Sequence, residues 1–251
     1  MTASDSPWLP APGHIENPLL FDIHVWRFTL DPPDHMLARF ERTLNDAELQ
    51  RVNRFRTETL RRRFVAGRGG LRAILGAFLG GLPADQVAFA YGDHGKPRLA
   101  GLGNGRVQFN LAHSHGLALC AVSLGRELGV DLEMTRPLDN AERIIERFFS
   151  PREQAEFLTL PDPDRRAAFF RGWSRKEAFL KATGTGLSTA LDSFDVTLGP
   201  IASLLRVGDD PAEAARWSLY DLHPGPAFAA ALAVFGDRLT VKLWDGLPAP
   251  E

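Results

Sequence analysis

Three carboxylates and two ammonium groups fall in two short segments of this sequence, about forty residues apart. Gly129-Val130-Asp131-Leu132-Glu133 reads as a strand, in which residues two apart share a face, so Asp131 and Glu133 point the same way. Trp173-Ser174-Arg175-Lys176-Glu177-Ala178-Phe179-Leu180-Lys181 reads as a helix. There, residues four apart stack, so Trp173, Glu177 and Lys181 form one stripe with Lys176 to its side. A helix laid against that strand would gather Asp131, Glu133 and Glu177 around one point, with Lys176 and Lys181 nearby. Oxygen ligands of this kind suit Mg²⁺, with Mn²⁺ as an alternative, and the lysines suit the phosphates that such an ion holds. Taken singly, each piece has a plainer reading: solvated strand charges, or an amphipathic helix with a Glu-to-Lys pair worth about 0.2–0.5 kcal/mol. Only the conjunction points to a site.

The elements that must position these residues can be read from periodicity and turn signals. A strand is expected over 22–30, ended by Asp31-Pro32-Pro33, because proline cannot continue a hydrogen-bonded ladder. Asn45-Asp46-Ala47-Glu48 is a helix N-cap signature opening a helix to about residue 55. A longer amphipathic helix over 57–79 follows, stopped by Gly80-Gly81-Leu82-Pro83. Short strands are expected near 87–91, 107–111 and 117–124. The second half repeats the order: a strand over 127–134, short helices near 140–148 and 151–158, and a long helix over 163–183. Strands near 194–198, 216–222, 227–234 and 239–244 close it. The fold class implied is α+β, two similar halves related by a pseudo-twofold, each a small antiparallel sheet packed on a long helix. The boundaries are a flexible N-terminal arm at 1–17, a first half at 18–123 and a second at 124–251, with a ligand expected between the halves.

The 251 residues carry a net charge of −2, which disfavours general affinity for nucleic acid. No apolar run is long enough to span a bilayer, and the N-terminus lacks the order of a signal peptide. The single Cys120 lies in an apolar strand-like run, so it reads as a core thiol and excludes an intramolecular disulfide, which fits a cytoplasmic location. Gly184-Thr185-Gly186 follows a helix C-terminus, where the dipole repels anions, so it reads as a glycine C-cap rather than a phosphate loop.

Gly129-Val130-Asp131-Leu132-Glu133 and Trp173-x-x-Lys176-Glu177-Ala178-x-x-Lys181 resemble the two signature motifs of the 4′-phosphopantetheinyl transferases of the long, pseudo-dimeric Sfp type. Further pieces fall in that family's order. They are Phe55 through Arg63 to Gly67, Tyr91-Gly92-Asp93-His94-Gly95-Lys96-Pro97, Phe109-Asn110-Leu111-Ala112-His113-Ser114, and Phe148-Phe149-Ser150-Pro151-Arg152-Glu153. The similarity spans about residues 20–235.

The resemblance implies an enzyme that moves phosphopantetheine from coenzyme A to a serine of an apo acyl or peptidyl carrier protein, releasing adenosine 3′,5′-bisphosphate. It implies Mg²⁺ on Asp131, Glu133 and Glu177, with Lys176 and Lys181 as cations for the pyrophosphate. The resemblance leaves Glu177 as general base (directly or through a metal-bound water), as metal ligand or as both. These roles compete, because a metal-bound carboxylate is a weaker base. Glu153 is a second candidate base, and Lys181 belongs with them among the catalytic residues. Arg63, Lys96 and His113 match family contacts to the nucleotide of CoA, and Arg51 stands where a basic residue often occurs. Ala112 departs from the pattern, standing where the family commonly has a phosphate-binding serine. A monomer is expected, with no nucleic-acid or membrane partner. The rival readings are a catalytically silent CoA- or nucleotide-binding protein of the same fold and, behind it, a metal-dependent phosphohydrolase. Fatty-acid, polyketide and nonribosomal-peptide carriers all remain open, with the length and two-half organisation suggesting broad or secondary-metabolic carriers by analogy with the family.

Overall fold

The computed structural model describes residues 7–15, 17–92, 95–101, 105–138, 140–186 and 189–248. The chain forms two compact units, Pro7–Gly125 with the stretch from Val241 onward, and Arg126–Thr240. In chain order the first unit holds β1 (Leu9–Pro10), β2 (Asp22–Thr29), α1 (Asp34–Glu41), α2 (Asp46–Val52), α3 (Glu58–Phe78), β3 (Phe89–Tyr91), β4 (Pro97–Leu99), β5 (Val107–Ser114) and β6 (Leu117–Leu124). The second holds β7 (Leu128–Met134), α4 (Ala141–Phe148), α5 (Pro151–Thr159), α6 (Asp162–Thr183), β8 (Phe194–Val196), β9 (Leu204–Val207), β10 (Trp217–Leu222) and β11 (Phe228–Phe235). The last strand, β12 (Thr240–Asp245), enters the first unit's sheet.

Both units run strand, two short helices, long helix, two-stranded ribbon, then two strands. Their sheets also share an order, β2-β6-β5 in one and β7-β11-β10 in the other. The class is α+β. Caps locate the helices where the sequence signals them. Asn45 and Glu48 form a reciprocal capping box on α2, and Thr57 caps α3. At the far end of α6, Gly184 adopts the left-handed conformation (φ 71°) and its N–H donates to Leu180 O, the C-cap expected of it.

Two departures from expectation concern the chain ends and α1. The described part of the N-terminal arm is not loose. β1 pairs in parallel with β12, and Ile15 is buried in the first unit's core beside Trp26, Phe28 and Leu75. β12 closes the first unit's sheet between β1 and β2 rather than completing the second half. Helix α1 was not expected, because Pro32-Pro33 reads as a strand terminator. Pro33 is also the N-cap of α1 and Asp34 its first-turn acid, so the same residues end one element and start the next. Among the described residues, no helix is long and apolar enough to cross a membrane. Cys120 is fully buried on β6. Burial pushes its thiol well above the usual range, which suits packing and not nucleophilic work.

β12 is tied to β2 by side chains as well as by its ladder. Trp244 Nε1 donates to His24 Nδ1 at 3.1 Å, and Lys242 Nζ donates to Asp22 at 2.7 Å. His24 is 2% exposed. Burial, with Lys242 beside it, lowers its pKa from 6.5 to about 4, against the opposing pull of Asp22. A base whose folded pKa is depressed stabilises the fold fully above its unfolded pKa. That stability is lost as the pH falls, here between 6.5 and about 4. Thermal melts over that range should show a decline on the order of 3 kcal/mol attributable to His24. The His24→Phe variant should have a lower Tm at neutral pH and a shallower acid slope. An acid slope equal to the unmodified protein's would show that His24 does not titrate in this way.

Candidate active site

The site is built on the contact between β7 and α6. A Cβ added to Gly129 would lie 2.2 Å from Ala178 O, 2.3 Å from Ala182 N and 2.7 Å from Lys181 C. The strand therefore touches the helix backbone itself at this point, and only glycine allows it. Across the ladder, Ala233, Ala231 and Ala229 of β11 stand opposite Gly129, Asp131 and Glu133 on the same face. Ala178 and Ala182 continue the small surface on the helix side, and both are buried. Small residues on both partners thus set the closeness of helix and sheet, and Asp131, two residues along from Gly129, is carried against α6.

Lys181 Nζ donates to Asp131 Oδ1 at 2.6 Å. Asp131 is 4% exposed, and its other carboxylate oxygen, Oδ2, is buried with no hydrogen-bond partner among the described residues. Glu133 and Glu177 are half-buried. Their pKa values are both raised from 4.5, first by desolvation and next by the charge of Asp131, and for Glu133 by Glu177 as well. Lys181 opposes the shift in both. Trp173, Glu177 and Lys181 form the half-exposed stripe of α6 that helical spacing predicts. Trp173 stacks on Phe169 (6.0 Å) and meets Phe148 edge-on, which fixes the start of that stripe.

As placed, no three Cys, His, Asp or Glu side chains among the described residues form a ready cage for a metal ion. The donor chemistry nevertheless fits a hard divalent cation. Three mutually repelling carboxylates converge here, and one of them keeps a buried oxygen without any partner. Asp131, Glu133 and Glu177 are the residues that would hold such an ion.

Two expected site residues lie elsewhere. Lys176 is wholly buried, and its ammonium donates to Leu191 O (2.7 Å) and Phe194 O (2.7 Å) and pairs with Glu153 (2.8 Å). All three of its donors are engaged, so it presents none to a pyrophosphate. Glu153 is equally buried. It caps α5 through Ser150 N (2.8 Å), accepts from Val196 N (2.8 Å) and pairs with Lys176. Its oxygens are committed within the fold, which removes it as a general base for an incoming serine. Helical position sets Lys176 and Glu177 100° apart around α6 but does not say which of the two faces inward.

In the first unit, Arg63 Nε and one terminal nitrogen bind both oxygens of Asp31 at 2.8 Å. That pair lies against the β5–β6 turn. A Cβ on Gly116 would come within 2.6 Å of Asp31 and 3.1 Å of Arg63. His115 and Gly116 both adopt positive φ (45° and 87°), as a two-residue hairpin requires. Asp31 was legible only as part of a strand terminator, and its role as the partner of Arg63 depends on the tertiary fold. His113 is exposed near the end of β5, and Lys96 is half-buried just before β4. Asp93 and His94 of the same turn lie outside the described residues. Arg51 is exposed on α2 with its guanidinium 5.2 Å from the Phe64 ring centre. Ala112 is buried within β5.

The 4′-phosphopantetheinyl transferase superfamily model matches residues 127–233. The 4′-phosphopantetheinyl transferase HetI of Nostoc sp. is 43% identical over 242 residues, covering 94% of this chain and 97% of that protein. The 4′-phosphopantetheinyl transferase Sfp of Bacillus subtilis is 30% identical over 168 residues, 66% of this chain and 73% of that one. The solved holo-[acyl-carrier-protein] synthase (AcpS) of Thermotoga maritima aligns with 45% of this chain and 64% of its own, at 28% identity and a TM-score of 0.36.

The Gly129 contact predicts that Gly129→Ala destabilises by about 1–3 kcal/mol or more, since the obstacle is backbone and cannot rotate away. Chemical denaturation of the two proteins measures this, and an unchanged midpoint would refute the close contact. The raised carboxylates make a second prediction. A carboxyl whose folded pKa exceeds 4.5 weakens the metal-free fold as the pH rises through and above that value. At pH 7.5, Glu177→Gln should therefore melt at an equal or higher temperature than the unmodified protein in chelator. A Tm several degrees lower would contradict it.

Proposed function

Because the chain belongs to the 4′-phosphopantetheinyl transferase superfamily and is an enzyme of that activity, we propose that Asp131, Glu133, Glu177 and Lys181 form its catalytic centre. The reaction moves phosphopantetheine from coenzyme A to a serine hydroxyl of an apo carrier protein. The observation that carries the assignment is the convergence of these groups, with one buried oxygen of Asp131 left unpartnered. The working ion is Mg²⁺, with Mn²⁺ able to replace it. When bound, it would supply Lewis-acid neutralisation of phosphate oxygens.

The remaining chemistry belongs to the chain. The serine oxygen attacks the phosphorus that bears pantetheine, the bond to the second phosphate breaks, and adenosine 3′,5′-bisphosphate leaves. Glu177 accepts the serine proton. In the metal-free protein, burial and the neighbouring Asp131 raise its pKa, whereas an ion held by the same carboxylate would oppose that shift, so its roles as ligand and as base compete. Lys181, held at 2.6 Å from Asp131, supplies fixed positive charge for the departing phosphate. Arg63, Arg51, Lys96 and His113 are assigned to the nucleotide end of CoA. Their accessibility supports this, in contrast to Lys176, which has no open face. Asp31 would yield part of the Arg63 fork to a phosphate. We place the protein in the cytoplasm as a monomer, where the reduced single cysteine and a supply of CoA agree with the reading.

Incubation with CoA, Mg²⁺ and a set of apo carrier proteins tests the proposal by mass spectrometry of the carriers. The expected result is a gain of one phosphopantetheine group. CoA binding without any gain would leave a silent binder, and phosphate release without a carrier would leave a hydrolase. Glu177→Gln should lower the transfer rate by about 10²–10⁴-fold while the protein stays folded.

A further inference from the structure

The residues immediately before Glu177 on α6 are buried, polar and bonded in three different directions. Ser174 Oγ donates to Ala229 O on β11 at 3.3 Å. Arg175 has no exposed side-chain surface, and its guanidinium grips both oxygens of Asp221 on β10 at 2.9 and 2.5 Å. It also donates to Thr197 O (2.6 Å), Thr197 Oγ1 (3.1 Å) and Gly199 O (2.9 Å) beyond β8. Lys176 reaches Leu191 O, Phe194 O and Glu153, as described above. Successive helical residues point 100° apart, so these three side chains take three quadrants of the helix and Glu177 takes the fourth.

Burying apolar surface is not directional, so an oily helix can rotate or slide a little at small cost. Hydrogen bonds lose strength steeply with angle, and a bidentate Arg–carboxylate pair fixes orientation as well as distance. Three such attachments within one turn set both the rotation of α6 and its position along its axis. We infer that Ser174, Arg175 and Lys176 are positioning residues, a three-way clamp that holds Glu177 toward Asp131. The inference rests on the site reading above. It assigns Arg175, which carries no reactive role, and Lys176, which has no access to phosphate, to the geometry of the site.

The test separates position from stability. Lys176→Met alone leaves Glu153 buried and unpaired, so its Tm should fall steeply. The double variant Lys176→Met/Glu153→Met removes both buried charges and should regain part of that Tm. The shortfall comes from Leu191 O, Phe194 O, Ser150 N and Val196 N, which lose their side-chain partners. Mn²⁺ binding by the full-length protein is then followed by electron paramagnetic resonance. The clamp predicts that the double variant, assayed well below its own Tm, binds Mn²⁺ ~10–100-fold more weakly than the unmodified protein. Its kcat should fall by a similar factor, with KM for CoA changed less. Asp221→Asn, which keeps the shape of its side chain, should move the same readouts in the same direction. Unchanged Mn²⁺ affinity in both the double variant and Asp221→Asn overturns the clamp while leaving the site intact. Asp131→Asn is the control for the site itself. If it binds Mn²⁺ as well as the unmodified protein does, the site reading falls and the clamp with it.

Discussion

The contact of Gly129 with the backbone of α6 is the constraint on which the second unit turns. With no side chain between strand and helix, the two backbones meet, and Ala178, Ala182, Ala231 and Ala233 extend the close fit around that point. A strand this near a helix delivers its next inward residue, Asp131, directly to the side chains on that helix. Lys181 and Glu177 can then interact with Asp131 without any loop to carry them. The candidate carboxylates thus stand on a strand and a helix packed backbone to backbone, where precise geometry is easiest to keep.

Charge is distributed unevenly about this contact. Elsewhere the buried charges are matched, Arg72 with Glu48, Arg175 with Asp221 and Lys176 with Glu153. Burial acts against the charged form of each partner in the last pair, raising Glu153 and lowering Lys176, and their mutual attraction, with the Val196 and Ser150 N–H groups donating to Glu153, opposes it. Around Asp131 the balance is not struck. Two further carboxylates are near it, and burial first, with the charge of Asp131 second, raises their pKa values.

Much of the architecture was legible in the sequence. Capping signals at Asn45 and Gly184, and apolar periodicity in α3, locate the start of α2, the end of α6 and both ends of α3 to within a residue or two, since caps and periodicity are local physics. The same strand order in both sheets accounts for the repeat that element order alone suggested. What escaped were the shortest strands and the sheet to which β12, expected near 239–244 in the second half, belongs. β12 belongs to the first unit because Trp244 and Lys242 meet His24 and Asp22, and no local signal reports a partner over two hundred residues away. Similarly, β4 and β9 are three and four residues long, too short to carry a period of their own.

Within the site, the sequence by itself determined which residues can share a face: Asp131 with Glu133 on a strand, and Glu177 with Lys181 on a helix. Those follow from the periods of two and 3.6, which are properties of the backbone. It could not determine which face looks inward. Lys176 and Glu177 are equally polar, and only the packing of α6 against α5, β8 and β11 sends one into the protein and the other toward Asp131. The same holds for Glu153, whose sequence context suits a catalytic base and whose surroundings make it a cap and a counter-ion. Side-chain chemistry is written residue by residue, but accessibility is a property of the assembled layers. Tertiary structure therefore decided which of the candidate groups can meet a substrate.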